Sequence, residues 1–303
     1  MRLPQSLQER EDIPRRGYGN CNTNIKLTAM IEIPESKNLA RQIDEALHGR
    51  TIVEVVNASS PHKFAWYHGD PLLYGDLLTG RTIESARGHG MYVDFLFDGD
   101  VVLSVGDGTN IRYYSPLDPQ PKKHQLLLTL DDASFLVFTV AMYGGIWAFH
   151  NNFDNPYYQG SLTKISPLED NFDEEYFEGL FKSVKKNMSI KALLATEQRI
   201  PGLGNGVLQD ILFNAGMNPR RKISAITDTE KKELFHSLKS TLQAMTDKGG
   251  RDTEKDIYGS SGKYKTILSR NTYKDPCPFC GEEIIREAYL GGNVYYCPHC
   301  QKI

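Results

Sequence analysis

Four cysteines near the end of the chain constrain its fold more than any other feature. They stand at positions 277, 280, 297 and 300, in the spacing C-x2-C-x16-C-x2-C. Each CxxC forms a tight knuckle that aims two thiolates at one ion, and two knuckles complete a tetrahedral four-sulfur shell. A shell of that kind leaves no open coordination position. It therefore predicts a structural zinc ion, Zn2+, on Cys277, Cys280, Cys297 and Cys300. Gly281 suits the sharp turn that follows the first knuckle. The intervening stretch EEIIREAYLGGNVYY predicts a β-hairpin turning at Gly291–Gly292. The fifth cysteine, Cys21, lies alone in a polar segment. Clustered CxxC pairs of this sort indicate metal rather than disulfides, and a reducing, intracellular setting.

The net charge of −3 hides an asymmetry. Residues 1–180 carry 15 Lys/Arg against 25 Asp/Glu, whereas residues 181–303 carry 20 against 13. An acidic half followed by a basic half is the pattern of a chain whose second half meets a polyanion, nucleic acid above all, although two domains can also differ in this way by chance. No apolar run is long enough to span a bilayer, and no apolar signal segment opens the chain. The expectation is a cytoplasmic monomer, nucleoid-associated if bacterial, with no membrane partner.

Texture divides the chain further. Residues 1–29 lack periodicity and predict a disordered extension. From Pro34 to Gly49, Leu39, Ile43, Ala46 and Leu47 recur at helical spacing. Between Thr51 and about Trp147, short runs such as TIVEVV, MYVDFLF, VVLSV, HQLLLTL and SFLVFTV alternate with Gly/Asp/Pro turns, predicting an antiparallel sandwich or barrel. The whole is thus an α+β chain. It has an N-terminal β-sandwich with a leading helix over 30–150, a linker over 151–172, a helical domain with its following loop over 173–275, and the finger over 276–303. Four amphipathic segments fill the helical domain: EEYFEGLFKSVKK, SIKALLATEQ, GNGVLQDILFNAG and TDTEKKELFHSLKSTLQAM.

One junction in that domain carries chemistry. In IKALLATEQRIPGLGN, Gly202 and Gly204 bracket a tight turn before a helix beginning near Asn205. Free amides at a helix N-terminus form a ready phosphate site, and Asn205 can cap the helix or offer its side-chain amide to a phosphate. Lys191 lies upstream, with Lys185, Lys186 and Arg199 nearby. An ordinary helix–turn–helix packing joint would show the same spacing.

Taken together, these pieces resemble the formamidopyrimidine-DNA glycosylase/endonuclease VIII family, from Met30 to Gln301. MIEIPES (30–36) is similar to the family's N-terminal Met-Pro-Glu-Leu-Pro-Glu. IKALLATEQRIPGLGN (190–205) is similar to its helix–two-turn–helix signature, and YYCPHCQ (295–301) to its finger ending. The resemblance implies a two-domain clamp on bent double-stranded DNA, damaged or abasic. It also implies flipping of the damaged base, cleavage of its N-glycosidic bond, and strand nicking by β/δ-elimination through a Schiff base. Carried over residue by residue, Glu32 is the catalytic carboxylate and Asn205 the phosphate-binding amide. Lys191, Gly202 and Gly204 belong to the DNA-gripping junction, and the four cysteines are the zinc ligands.

The chain also departs from the pattern. Ile31 stands where the family has its nucleophilic proline. It serves only if its amine is exposed; the Met30 amine is a second route, and a chain with no nucleophile is the third. Met91 replaces a lysine of the β-domain. VAMYGG (140–145) lacks the family's Arg and Phe at the wedge that fills the flipped base's gap, with Met142 and Tyr143 as substitutes. Gly292 stands where the finger usually offers an Arg. The alternative to an active enzyme is therefore a member that binds damaged or abasic DNA without excision.

Overall fold

The computed structural model describes residues 30–303. The extension expected over 1–29, and Cys21 with it, lies outside the described residues.

The first element is helix α1 (Ile33–Leu47). Glu32 caps it in an extended conformation, and Pro34 sits in the first turn, where no intrahelical donor is needed. Leu39, Ile43 and Leu47 bury its apolar face against a β-sandwich. One sheet of that sandwich has the order β1 (Ile52–Asn57), β7 (Leu126–Leu130), β8 (Phe135–Val140), β6 (Thr109–Tyr114). The other runs β2 (Ala65–Tyr67), β9 (Gly144–His150), β5 (Val101–Val105), β4 (Tyr92–Phe97), β3 (Ile83–His89). All pairings are antiparallel except β2 on β9. The inner faces interlock, with Phe95 of one sheet edge-on to Phe138 of the other at 5.8 Å. A short helix α2 (Tyr74–Leu78) closes one end through Tyr74 and Leu78.

The sandwich and leading helix are as the sequence predicts, while the stretch expected as a linker is more ordered than that. Helix α3 (Pro156–Thr163) occupies its middle. The Asn155 side chain accepts from the amides of Tyr157 and Tyr158 and so starts the helix. Tyr158 then packs among Tyr92, Phe149 and Phe153 and donates to Asp94 at 2.8 Å. This segment lies on the sandwich because its aromatic residues are core residues.

The four amphipathic segments are α4 (Glu174–Lys182), α5 (Ile190–Ala195), α6 (Asn205–Asn214) and α7 (Asp228–Asp247). They share one core, built on Phe177, Leu194, Val207, Ile211, Leu238 and Leu242. The finger hairpin pairs β10 (Ile285–Tyr289) with β11 (Gly292–Tyr296). Its turn is Leu290–Gly291, both at positive φ, one residue earlier than expected, and Gly292 is the first residue of the returning strand. Successive positive φ values give the twist that suits a two-residue hairpin loop.

The segment before α1 joins the units. Ile31 is buried in the sandwich core, whereas Ile33 is buried in the helical core. Three residues thus straddle two cores.

Candidate active site and nucleic-acid interface

Glu32 lies between those two isoleucines and is only 2% exposed. Its carboxylate accepts from the backbone amides of Gly206 at 2.9 Å and Val207 at 2.7 Å, in the first turn of α6. The helix N-terminus predicted as a phosphate site therefore already engages a carboxyl group of the chain itself. Gly204 and Gly206 are glycine because a Cβ at either would run into Glu32 or its partner Arg251. Gly202, at φ +75°, turns the chain tightly against the backbone of Gly90, and its carbonyl accepts from the Ile33 amide at 3.1 Å.

Arg251 is the residue that sequence reasoning missed. It is 2% exposed and faces three carboxylates. It lies 3.3 Å from Glu32 Oε2 and 2.8 Å from Glu35 Oε2. Its backbone and Nε also donate to Glu35 Oε1 at 3.1 and 3.0 Å. Glu254 completes the group, with Oε2 accepting from the Met30 backbone nitrogen at 2.9 Å. One guanidinium cannot balance three buried carboxylates. Burial pushes both Glu32 and Glu254 up to about 7, against the pull of Arg251, and the surrounding carboxylates hold the Arg251 proton more tightly than usual.

Above this cluster lies a cavity of about 350 Å³, within the range of small-molecule sites. Every unit of the fold contributes a wall: Met30 from the leading segment, Met142 and Tyr143 from the sandwich, Asn205 and Gln209 from α6, Glu254 from the following loop, and Asn293 from the finger. Glu254 and Arg251 face the cavity, and Glu32 lies just behind Gly206 and Arg251. Met30 lines the cavity, but Ile31 does not; the Ile31 side chain is 3% exposed and its nitrogen donates to Asp107 Oδ1 at 3.1 Å. Burial raises Asp107 to about 6, while Tyr143, which donates to its other oxygen at 3.2 Å, pulls it down. Met91 packs against the aromatic cluster around Tyr92 and Tyr158, away from the cavity.

Lys191 and Asn205 both reach the finger hairpin. Lys191 is 2% exposed, and Nζ donates to the Tyr289 carbonyl at 2.6 Å; burial lowers its pKa to about 8. The N-cap of α6 is Gly204 rather than Asn205, because the Asn205 side chain turns outward and donates to the Asn293 carbonyl at 2.6 Å. Gln209 donates to the same carbonyl at 3.0 Å and accepts from the Tyr295 amide at 3.1 Å. Asn205 Oδ1 is buried and has no hydrogen-bond partner among the described residues. A side chain at Gly292 would begin 3.1 Å from Asn205 Nδ2, so glycine lets the hairpin approach α6 this closely.

In the finger, the four cysteine sulfurs lie within 4.8 Å of one another. Cys277 and Cys300 are 3.8 Å apart, Cys280 and Cys297 3.4 Å. Tetrahedral coordination at about 2.3 Å per sulfur sets sulfur–sulfur separations of about 3.8 Å, so the thiols are positioned for one metal ion.

Comparison with known proteins follows this geometry. Residues 30–164 match the family model for the formamidopyrimidine-DNA glycosylase N-terminal domain. Residues 164–256 match that for the formamidopyrimidine-DNA glycosylase H2TH domain. The chain belongs to the formamidopyrimidine-DNA glycosylase family. A family member from Brevibacillus brevis is 29% identical over 282 residues, covering 90% of this chain and 99% of the relative. One from Cytobacillus firmus is 26% identical over 283 residues, covering 90% and 100%. Among solved structures, the Lactococcus lactis family protein in complex with abasic-site DNA superposes with a TM-score of 0.77 at 24% identity, covering 90% of this chain and 100% of that one. The Thermus thermophilus family protein gives 0.73 at 24% identity, covering 89% and 98%. At that identity the superpositions establish the fold of the family: sandwich, helix–two-turn–helix domain and cysteine finger in one order.

Proposed function

We propose that this chain is a DNA-repair glycosylase acting on duplex DNA that bears a damaged base or an abasic site. The observation that carries this reading is the cavity where sandwich, helical domain and finger meet, with a buried carboxylate group beneath it. A nucleotide turned out of the duplex enters that cavity and leaves the competing solvent behind. Glu32, raised to about 7 by burial, carries a proton in about half of the molecules at neutral pH. As water or an amine of residue 30 or 31 bonds to C1′, the base leaves with the electron pair of the N-glycosidic bond and takes up the proton the nucleophile sheds. Glu32 protonates the ring oxygen as the sugar opens. Arg251 orients Glu32 through their 3.3 Å contact, and Glu254 faces the cavity as a second proton acceptor beside Met30. Lys191 and Asn205 hold the finger against α5 and α6, while the turn at Gly202 and Gly204 holds the start of α6 against Gly90 and the leading segment, so the surface that grips the DNA backbone acts as one piece. The four finger thiolates hold zinc, which closes the finger and takes no part in the chemistry. The family's lyase step follows if an amine of residue 30 or 31 reaches the sugar.

A second reading, binding without excision, draws support from one observation. The nitrogen of Ile31 is committed to Asp107, and no lysine lines the cavity among the described residues. One set of measurements separates the two. The full chain is incubated with duplexes carrying oxidised bases or an abasic site, and product release, nicking and borohydride-trapped adduct are followed. Excision that falls about 10²–10⁴-fold in Glu32→Gln, with duplex affinity kept, supports the enzyme. Tight abasic-duplex binding with neither excision nor adduct supports the second reading and overturns the first.

A further inference from the structure

Four large apolar side chains stand exposed on one side of the cavity: Met142 and Tyr143 line it, Trp66 lies beside Tyr143, and Phe64 is joined to the next strand at Gly144. Water contact on this scale, gathered in one place, marks an interaction surface. We propose that Trp66, beside Tyr143, is the stacking platform for the base left without a partner when the damaged nucleotide turns into the cavity. This inference rests on the duplex-DNA reading above and adds a residue that determines which opposite base is accepted.

Strand geometry explains the exposure. β2 is the edge strand of the five-stranded sheet, and side chains alternate along it. Ala65 and Tyr67 pack on the sandwich core, which turns Trp66 outward, half exposed. The platform is also rigid. Trp66 pairs with Gly145 in the parallel ladder, and the Gly144 amide donates to the Phe64 carbonyl at 3.0 Å. A strand-borne aromatic therefore meets a base without a loop having to be ordered first.

The ridge is continuous with the cavity. The rings of Trp66 and Tyr143 lie 6.2 Å apart at 42°, and Tyr143 both lines the cavity and is anchored on Asp107. Trp66 thus stands one ring further out than the wall against which the flipped nucleotide would rest. Flat aromatic faces stack on every nucleobase but more strongly on the larger purines, so the platform holds an unpaired base and also ranks the four. Lys63, with Nζ 5.4 Å from the Phe64 ring centroid, adds a cation at the outer end, where a phosphate backbone would pass. An apolar protein partner would need neither the cavity nor the cation.

The chain's two tryptophans, Trp66 and Trp147, make the test direct. Trp147 packs against Tyr92 and Phe153, so full-length Trp147→Phe reports Trp66 emission alone. The probe is a duplex with a tetrahydrofuran abasic analogue opposite each of the four bases in turn, and binding is followed separately by anisotropy of the labelled DNA. Trp66 emission is expected to be quenched on saturation. Trp66→Ala is expected to weaken binding about 10- to 100-fold and to flatten the preference among opposite bases, while Trp66→Phe restores most of both. Unchanged emission at saturation, or wild-type binding by Trp66→Ala, overturns the inference and leaves the duplex reading standing. Quenching that tracks protein concentration without DNA also overturns it, in favour of a second copy of the chain. Failure of the wild type to bind the abasic duplex overturns the duplex reading, and this inference falls with it.

Discussion

Glu254 and Glu32 are buried beside one guanidinium that Glu35 already occupies; burial raises both carboxyls, and Arg251 offsets only part of it. The consequence is measurable as stability. Glu254 titrates at about 7 in the folded chain, against 4.5 for an ordinary glutamate. A raised folded pKa contributes stability that is fully present below 4.5 and is lost as pH climbs to about 7. Gln cannot ionise, so Glu254→Gln should gain stability relative to wild type across that window and show a constant difference outside it. Urea unfolding at several pH values checks this; a difference independent of pH between 4.5 and 7 would contradict it. Glu32 was legible only through the resemblance of MIEIPES to the family's N-terminal motif, while the helix behind it was readable from Pro34 and the apolar stripe that follows. Arg251 and Glu254 were not, since GGRDTEKD has the polar, glycine-rich texture of a solvated loop. Gly249 and Gly250, both at positive φ, lead the chain into Arg251, which is held inward by carboxylates more than two hundred residues away.

At the scale of elements, the finger is held to α5 and α6 by a few side-chain bonds. Lys191, Asn205 and Gln209 all end on hairpin backbone. Lys191→Met keeps most of the stem but leaves the Tyr289 carbonyl without its donor, a loss of about 1–3 kcal/mol. Hydrogen exchange across residues 285–296 should quicken while exchange in the sandwich stays as it was; unchanged hairpin exchange would remove Lys191 from this role. Helices were the legible elements here, because long apolar stripes at a 3.6-residue period have one reading. The finger was legible from cysteine spacing alone. β2 was not: three residues carry no period, and a parallel partner almost eighty residues away leaves no local trace. The helix inside 151–172 was hidden in the same way, because its aromatic residues sit among Asn, Asp and Pro and serve the sandwich rather than a stripe of their own.

For the whole molecule, the metal site and the cavity are linked through that docked hairpin, since Gly292, Asn293 and Tyr295 form one wall. Stripping the metal with a thiol-reactive chelator should release one equivalent, loosen the hairpin and lower affinity for abasic duplex about tenfold or more, with the strand signal in circular dichroism retained. Elemental analysis and anisotropy together check this, and full affinity in the metal-free chain would contradict it.

The segment that straddles two cores also sets an order of events during synthesis. Met30, Glu32 and Glu35 leave the ribosome ahead of every other part of the described fold, yet their partners are made far later. Glu32 waits for amides 174 and 175 residues downstream, Glu35 for Arg251, 216 residues on, and the Met30 nitrogen for Glu254, 224 residues on. Contacts of that separation close late. The earliest residues to emerge therefore remain hydrated while the sandwich and then the helices condense. They lock only when the loop beyond α7 arrives, so a nascent chain cannot close its buried carboxylate cluster before Arg251 and Glu254 have been made.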